Sequence, residues 1–272
     1  MARDRKLGRL PPIPDRPRLR LGDYLRAIPT APSSADHLSK VPRWILGGND
    51  RFGDCGPVSA ANDRLLVTTY LTATPQVVGQ SDIFDLYRRS GNPRFNPATG
   101  EDDNGVVLQV MLEAMLEGGI GGVKPIAFAA VDHTNLDEMR AAVAIFGSLL
   151  VGVNLDVAQQ RQRTWDYRPS PEWGGHAVML GRYSESPDLT SVVSWGEIIP
   201  MTDAFVSSQL DEAWVVIWPE HLGTRAFEEG LTLSALKADF LALTGRPMLP
   251  QPPGYLARAV GCLQGILRRL HR

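Results

Sequence analysis

Apolar positions along this chain change their spacing part-way. From residue 56 to about 72, Val58, Ala61, Leu65, Leu66 and Thr69 recur at three- and four-residue steps, which predicts a helix. Residues 81–87 open a second helix, with Asp85 as the acid of a capping box behind Ser81 or Asp82. Residues 106–117 form a third amphipathic run, stopped by Gly118-Gly119. Beyond residue 125 the pattern shortens. Residues 126–131, 149–155, 177–183, 190–195 and 213–218 read as strands. One helix interrupts them, starting at Asn135 or Asp137 and running through Met139, Ala142, Val143 and Phe146 to Gly147. Helices first and antiparallel strands afterwards is an α+β order.

The two ends differ from this middle. Residues 1–40 hold six prolines, many arginines and no sustained period, and are read as an arm. Its first 18 residues are expected to be a disordered tail, with a strap or pro-segment over the core as the functional reading. Leu19, Leu21, Tyr24, Leu25 and Ile28 are spaced to dock. Residues 41–221 form the main domain. Residues 222–272 form a helical extension: one helix over 231–243, a proline-rich linker, and a last helix over 255–272 with Leu256, Val260, Leu263 and Leu267 on one face. A short isolated helix is marginal in water, so that face is expected to cover protein, either this chain's core or another subunit. Both ends are therefore candidate surfaces for homo-oligomer, virion or host-protein contacts. The basic residues of the last helix make membrane binding the lesser alternative.

Composition narrows the classes. The chain has 272 residues, 43% hydrophobic and 21% charged, within the range of globular proteins. A net charge of −2 gives no reason to expect nucleic acid. Cys55 and Cys262 are the only cysteines, so a disulfide framework and a thiolate metal cage are both excluded. No cofactor is implied. The charged start runs into prolines instead of an apolar signal core, and no apolar run reaches the ~20 residues needed to span a bilayer. The expected location is cytoplasmic or virion-associated. His133 and His221 lack supporting context and are expected at the surface. Asp102-Asp103-Asn104-Gly105 lacks the alternating acids of a calcium loop and reads as a turn.

The chemistry-bearing residues converge on Gly53-Asp54-Cys55-Gly56-Pro57. A thiolate nucleophile needs a base or cation and a set of donors for the oxyanion it creates. A helix N-terminus favours its negative charge. Asn49 lies six residues upstream as a carboxamide donor, and Gly175-His176 lies downstream as the base. Asp54 can cap the helix. Trp195 and Gly175 are expected to support the cleft.

These residues resemble the papain-like cysteine peptidases. Asn49 stands where that family has an oxyanion-donating Gln, and Asp54-Cys55-Gly56-Pro57 looks most like the bacteriocin-processing branch. Residues 149–153 and 174–180 look like the strand pair leading to the catalytic His, and Ser194-Trp195-Gly196 like the family's Asn-Ser-Trp-Gly. A looser likeness runs to papain-like proteins of actinobacterial phages and prophages. The resemblance implies a two-lobed fold with a peptide or protein substrate in the cleft between the lobes. It also implies a third catalytic residue, which would orient the imidazole; Val193 occupies that position and cannot accept a proton. Ser194, Asp188 and Glu197 are the polar candidates to replace it. Two functions follow as expectations. One is a thiol hydrolase of peptide or amide bonds, weakened by Val193. The alternative is a non-catalytic phage or prophage structural or accessory protein on the same fold.

Overall fold

The computed structural model describes residues 5–26, 31–185 and 188–248. The last predicted helix, with Cys262, lies outside the described residues. In chain order the elements are β1 (Ser34–Asp36), α1 (Cys55–Leu71), α2 (Gln80–Arg89), α3 (Leu108–Gly118), β2 (Ala127–Val131), α4 (Leu136–Phe146) and β3 (Leu149–Asp156). Then come β4 (Glu172–Glu185), β5 (Asp188–Ser194), β6 (Glu197–Thr202), α5 (Asp203–Gln209), β7 (Leu210–Ile217), α6 (Arg225–Gly230) and α7 (Leu233–Thr244). The sheet runs β2-β7-β3-β4-β5-β6, with β1 added to β4, and every pairing is antiparallel.

Strand alternation divides the core in two. On β4 and β7, Ala177, Met179, Trp214 and Val216 face the layer built by α1, α2 and α3. Their neighbours Val178, Leu180, Ala213, Val215 and Ile217 face the opposite layer, with α4, α5, α6 and α7. This is the period-2 rule of a sheet covered on both sides. Leu19, Leu21 and Tyr24 of the arm join the second layer, as their spacing predicts.

The helix carrying Cys55 is sunk between the two halves. Every residue from Cys55 to Thr68 is buried. Its polar side chains are therefore all committed. Asn62 takes the N–H of Ile45 and donates to its carbonyl. Asp63 accepts from Trp218 Nε1 (2.6 Å) and from Ser148 Oγ. Arg64 makes a two-pronged pair with Glu220, at 2.5 and 2.7 Å, and reaches Gln76. Gly56 is required by the approach of the neighbouring loop: a Cβ there would lie 2.6 Å from Val106 Cγ2.

Several expectations change. α2 starts one residue early, at Gln80, and its N-cap Gly79 supplies no side-chain bond, so the capping box does not form. Asn135 does cap α4, accepting from the Glu138 N–H. β6 is an additional strand; Pro200 within it is tolerated because β6 is a sheet edge. His221 is buried instead of exposed, held between the Trp218 N–H and the Phe146 carbonyl. Residues 5–18 are not a tail: they lie along the domain and are described next. Among the described residues, no helix is long and apolar enough to cross a membrane.

Candidate active site

Cys55 is the first residue of α1, with its side chain fully buried. The first N–H groups of a helix have no intrahelical partner, so the thiol sits in their field. Its Sγ accepts a hydrogen bond from the N–H of Ala177 at 3.4 Å. Ala177 follows His176 directly, so β4 places the His176 backbone next to the residue that bonds the thiol. Asp54 stands at the N-cap, yet its carboxylate makes no capping bond and both oxygens are buried without partners among the described residues. Burial, with smaller contributions from Asp103 and Asp50, pushes its carboxyl well above the usual carboxylate range. The expected cap bond is therefore not made.

His176 shares the parity of Val178 and Leu180, which turns its ring toward the layer holding Trp165 and Trp195. Its Nε2 lies 2.7 Å from Ser194 Oγ. Its Nδ1 is buried with no hydrogen-bond partner among the described residues, Cys55 included. The orienting contact therefore falls on Nε2, and the nitrogen left free is Nδ1. Val193 is buried on β5 opposite Met179, in the hydrophobic layer and away from polar work. The Asp188 backbone lies far from His176 along the sheet. It pairs with Glu185 at the far end of β4, nine residues from His176 (185 − 176), or roughly 30 Å at the usual rise. Glu197 pairs across the turn with Ser194 but is exposed and faces Arg5.

Trp195 completes the imidazole's surroundings. Ser194 and Glu197 close a two-residue hairpin in which Trp195 (φ 51°) and Gly196 (φ 76°) both take the left-handed region. That geometry suits a twisted hairpin, but it strains a tryptophan by about 1–2 kcal/mol. The strain lays the indole flat on His176, with centroids 4.5 Å apart and planes at 15°. Trp173 lies nearly parallel to the indole at 6.0 Å, and Trp165 meets the Trp195 and His176 rings edge-on.

Asn49 lies in the turn that leads into α1, its N–H bonded to the Leu46 carbonyl. Gly47 and Gly48 take positive φ there, and a Cβ on Gly47 would be 2.7 Å from Val58 Cγ2. Only glycine lets the turn fold this closely over α1. The Asn49 side chain is buried, with Oδ1 unpartnered among the described residues. Its amide is not spent on holding the turn.

No protein-family profile and no curated protein matches this sequence. Solved structures do match. Xylellain, a cysteine protease from Xylella fastidiosa, superposes with a TM-score of 0.63 at 14% identity, over 79% of this chain and 97% of that one. Procathepsin L 3 of the Tenebrio molitor larval midgut gives 0.53 at 10% identity, over 79% of this chain and 76% of that one. Procathepsin B S9 from Trypanosoma congolense gives 0.53 at 12%, over 80% and 87%. The chain has the papain-like fold.

In this papain-like chain the cleft is filled by the chain's own arm. Gly8 runs beside Cys55, near enough for its backbone to ease the thiol's deprotonation. The Arg9 N–H donates to the Gly175 carbonyl at 3.0 Å, the Val106 N–H to the Gly8 carbonyl at 2.7 Å, and the Leu10 N–H to the Val106 carbonyl at 2.8 Å. The fit is backbone on backbone. A Cβ on Gly8 would lie 2.0 Å from the Gly53 carbonyl oxygen. One on Gly105 would lie 2.3 Å from the Gly8 oxygen, and one on Gly175 2.3 Å from the Arg9 oxygen. Asp103 ties the helical wall to this track, accepting from Tyr87 Oη, the Gly53 N–H and Lys6 Nζ. At the other end Arg5 lies 4.2 Å over Trp195. Two cavities of about 530 and 570 Å³ flank the arm, one against Asp211 and Glu212, the other against Trp165 and Trp195; neither reaches Cys55.

The occupied cleft sets the protonation states. Burial pushes the Cys55 thiol up to about 11, against the smaller help of the Ala177 and Gly8 N–H groups. Burial, then the charges of Arg5 and Arg9, push His176 down to about 3. A thiol and a neutral imidazole result, not an ion pair.

Gly8, Arg9 and Asp103 escaped sequence reasoning. The available signal was local: Leu7-Gly8-Arg9-Leu10 places a glycine between apolar residues ahead of the prolines, a pattern of close backbone approach.

Proposed function

We propose that this protein is a latent papain-like thiol hydrolase of peptide or amide bonds, held inactive by residues 5–10 in its own cleft. What supports the reading is a helix-N-terminal thiol bonded by the N–H next in sequence to His176, and an imidazole whose Nε2 meets Ser194 and whose Nδ1 has no partner among the described residues. When the arm leaves, burial is eased and Arg5 and Arg9 depart, so the three causes of the low His176 basicity weaken together. His176 Nδ1 then takes the thiol proton. The thiolate attacks the substrate carbonyl carbon, and the oxyanion meets the Asn49 amide and the Cys55 backbone N–H. The C–N bond breaks as the imidazolium returns the proton to the leaving amine. Water, deprotonated by His176, then hydrolyses the thioester and frees Cys55.

Latency rests on geometry as well as charge. The Gly8 backbone lies beside the thiol, and its carbonyl is engaged by the Val106 N–H. No arm carbonyl carbon is offered for attack at that residue, so the arm sits as a plug and not as a substrate. Ser194 supplies what Val193 lacks, which favours retained chemistry over a relic site.

The test uses the full chain with the arm dislodged by Gly8→Val. Hydrolysis of a fluorogenic peptide library should appear in Gly8→Val and vanish in Gly8→Val/Cys55→Ala. Adding Asn49→Ala should lower turnover by roughly 10²–10³ with little loss of stability. A dislodged arm, seen as a solvent-accessible Cys55, with no hydrolysis of any library member would refute the enzyme reading.

A further inference from the structure

The arm places an arginine in a buried acidic pocket beside the thiol. Arg9 is 4% exposed. One of its terminal nitrogens lies 3.0 Å from Glu212 Oε1 and 2.8 Å from Asp211 Oδ1. The other lies 2.9 Å from Asp211 Oδ2 and also donates to Asn154 Oδ1. Both acids are braced: Trp214 Nε1 donates to Glu212 Oε2 at 2.8 Å, and Asn154 Nδ2 to Asp211 Oδ2 at 3.1 Å. Gly152 makes the room, since a Cβ there would lie 2.7 Å from Arg9 Cδ and 2.6 Å from Glu212 Cγ. The pocket belongs to the sheet half, from β3 and β7, and it remains when the arm goes.

We propose that this pocket selects the substrate: it takes an arginine or lysine side chain from a residue flanking the scissile bond. The inference rests on the hydrolase reading for the word substrate, and on the pocket alone for the cation. Two observations lead to it. The Arg9 N–H donates to the carbonyl of Gly175, the residue before His176, while the Gly8 backbone runs beside Cys55. A side chain in this pocket is therefore carried by a residue next to the reacting atoms. Second, the departure of Arg9 strips two carboxylates, one of them almost fully buried, of their cation. A buried charge left without a partner is costly. An apolar or acidic side chain would leave that cost standing, whereas a guanidinium restores all of the hydrogen bonds and matches two carboxylates in its plane. Guanidinium is thus favoured over ammonium. Gly152 keeps the channel open for a long stem, and the adjoining cavity of about 530 Å³ gives the rest of a substrate residue space.

Butylguanidinium and its neutral isostere butylurea test the pocket without requiring turnover. In full-length Arg9→Ala, butylguanidinium should raise the thermal midpoint and bind at least tenfold more tightly than butylurea. Adding Glu212→Gln should erase that preference. Should Arg9→Ala not fold, Arg9→Met keeps the stem packed in the channel and serves the same comparison. In the wild type, millimolar butylguanidinium should speed alkylation of Cys55 by competing with Arg9, and butylurea should not. Equal affinity for the two probes, or equal acceleration, overturns the proposal. Cleavage assays then separate the two readings. In the dislodged Gly8→Val chain, peptides with Arg beside the scissile bond should be cleaved at least tenfold faster than their Gln counterparts. Cleavage indifferent to that substitution overturns the pocket and leaves the hydrolase. Probe selectivity with no cleavage of either peptide overturns the hydrolase and leaves the pocket.

Discussion

The α1 helix and the arm segment 5–10 meet at one sulfur atom, yet they are held in opposite ways. α1 is locked by side chains: fourteen successive buried residues, and Asn62, Asp63 and Arg64 each satisfied by a distant partner. The arm is laid on largely by backbone: three backbone hydrogen bonds, clearance at Gly8, Gly105 and Gly175, and charged ends at Arg5, Lys6 and Arg9, of which Arg9 is the buried one. The helix is surrounded by the fold, while the arm covers a surface that is complete without it. Cys55 is thereby built into the fold, and the segment beside it is laid on afterwards. The contrast predicts that damage to α1 unfolds the protein, whereas damage to the arm uncovers a folded site.

Arg64→Ala tests the built-in side and should have the largest effect. It leaves Glu220 buried and unpaired, at a cost of about 3–5 kcal/mol. Urea unfolding would register this; a loss below 1 kcal/mol would mean the helix is not locked by its polar residues. Gly8→Val tests the laid-on side. The branched Cβ cannot lie 2.0 Å from the Gly53 oxygen, so the arm must lift. Alkylation of Cys55 at neutral pH should rise about 100-fold or more, because a buried thiol reacts only through opening. A cooperative unfolding transition close to that of the wild type should persist. Unchanged alkylation would break the comparison.

Acid sharpens it further. In the folded chain His176 stays neutral down to about 3, while an unfolded histidine takes a proton near 6.5. The stability from keeping this ring neutral is fully present above pH 6.5 and is lost as pH falls from 6.5 toward 3. Relative to His176→Gln, the wild type should therefore lose about 2 kcal/mol between pH 7 and pH 5. In the Gly8→Val background that loss should shrink, since the causes of the shift leave with the arm. Equal losses in both backgrounds would show that the arm does not control the imidazole. The smallest effect belongs to Ser194→Ala. Removing one hydrogen bond to Nε2 should lower turnover of the dislodged enzyme by up to about tenfold, with KM unchanged.

What the sequence disclosed follows the same division. The nucleophile helix, the strand of His176 and the Asn135 cap were legible because side-chain period and chain-local chemistry encode them. α1 begins at Cys55, one residue from expectation, and β7 spans Leu210–Ile217 against an expected 213–218. The course of residues 5–18 was not legible. Backbone-to-backbone contact leaves only scattered glycines in the sequence, and the partners of Arg9 lie about two hundred residues away. β6 was hidden by Pro200, a strand breaker that an edge accepts. His221 carried no signal of burial because its two partners come from α4 and the end of β7. Ser194 was among the candidates, but only the register of β4 against β5 separates it from Asp188.

Trp195 also gives this molecule a built-in optical reporter. Its indole lies flat on His176 on one side and under Arg5 of the arm on the other. Departure of the arm removes the cation and admits water to the ring, which shifts indole emission to the red. Protonation of the imidazole then quenches it by electron transfer across the stack. One fluorophore thus reads two events in sequence, the opening of the cleft and the charging of the base. Replacing the other five tryptophans is unnecessary if Trp195→Phe supplies the difference spectrum.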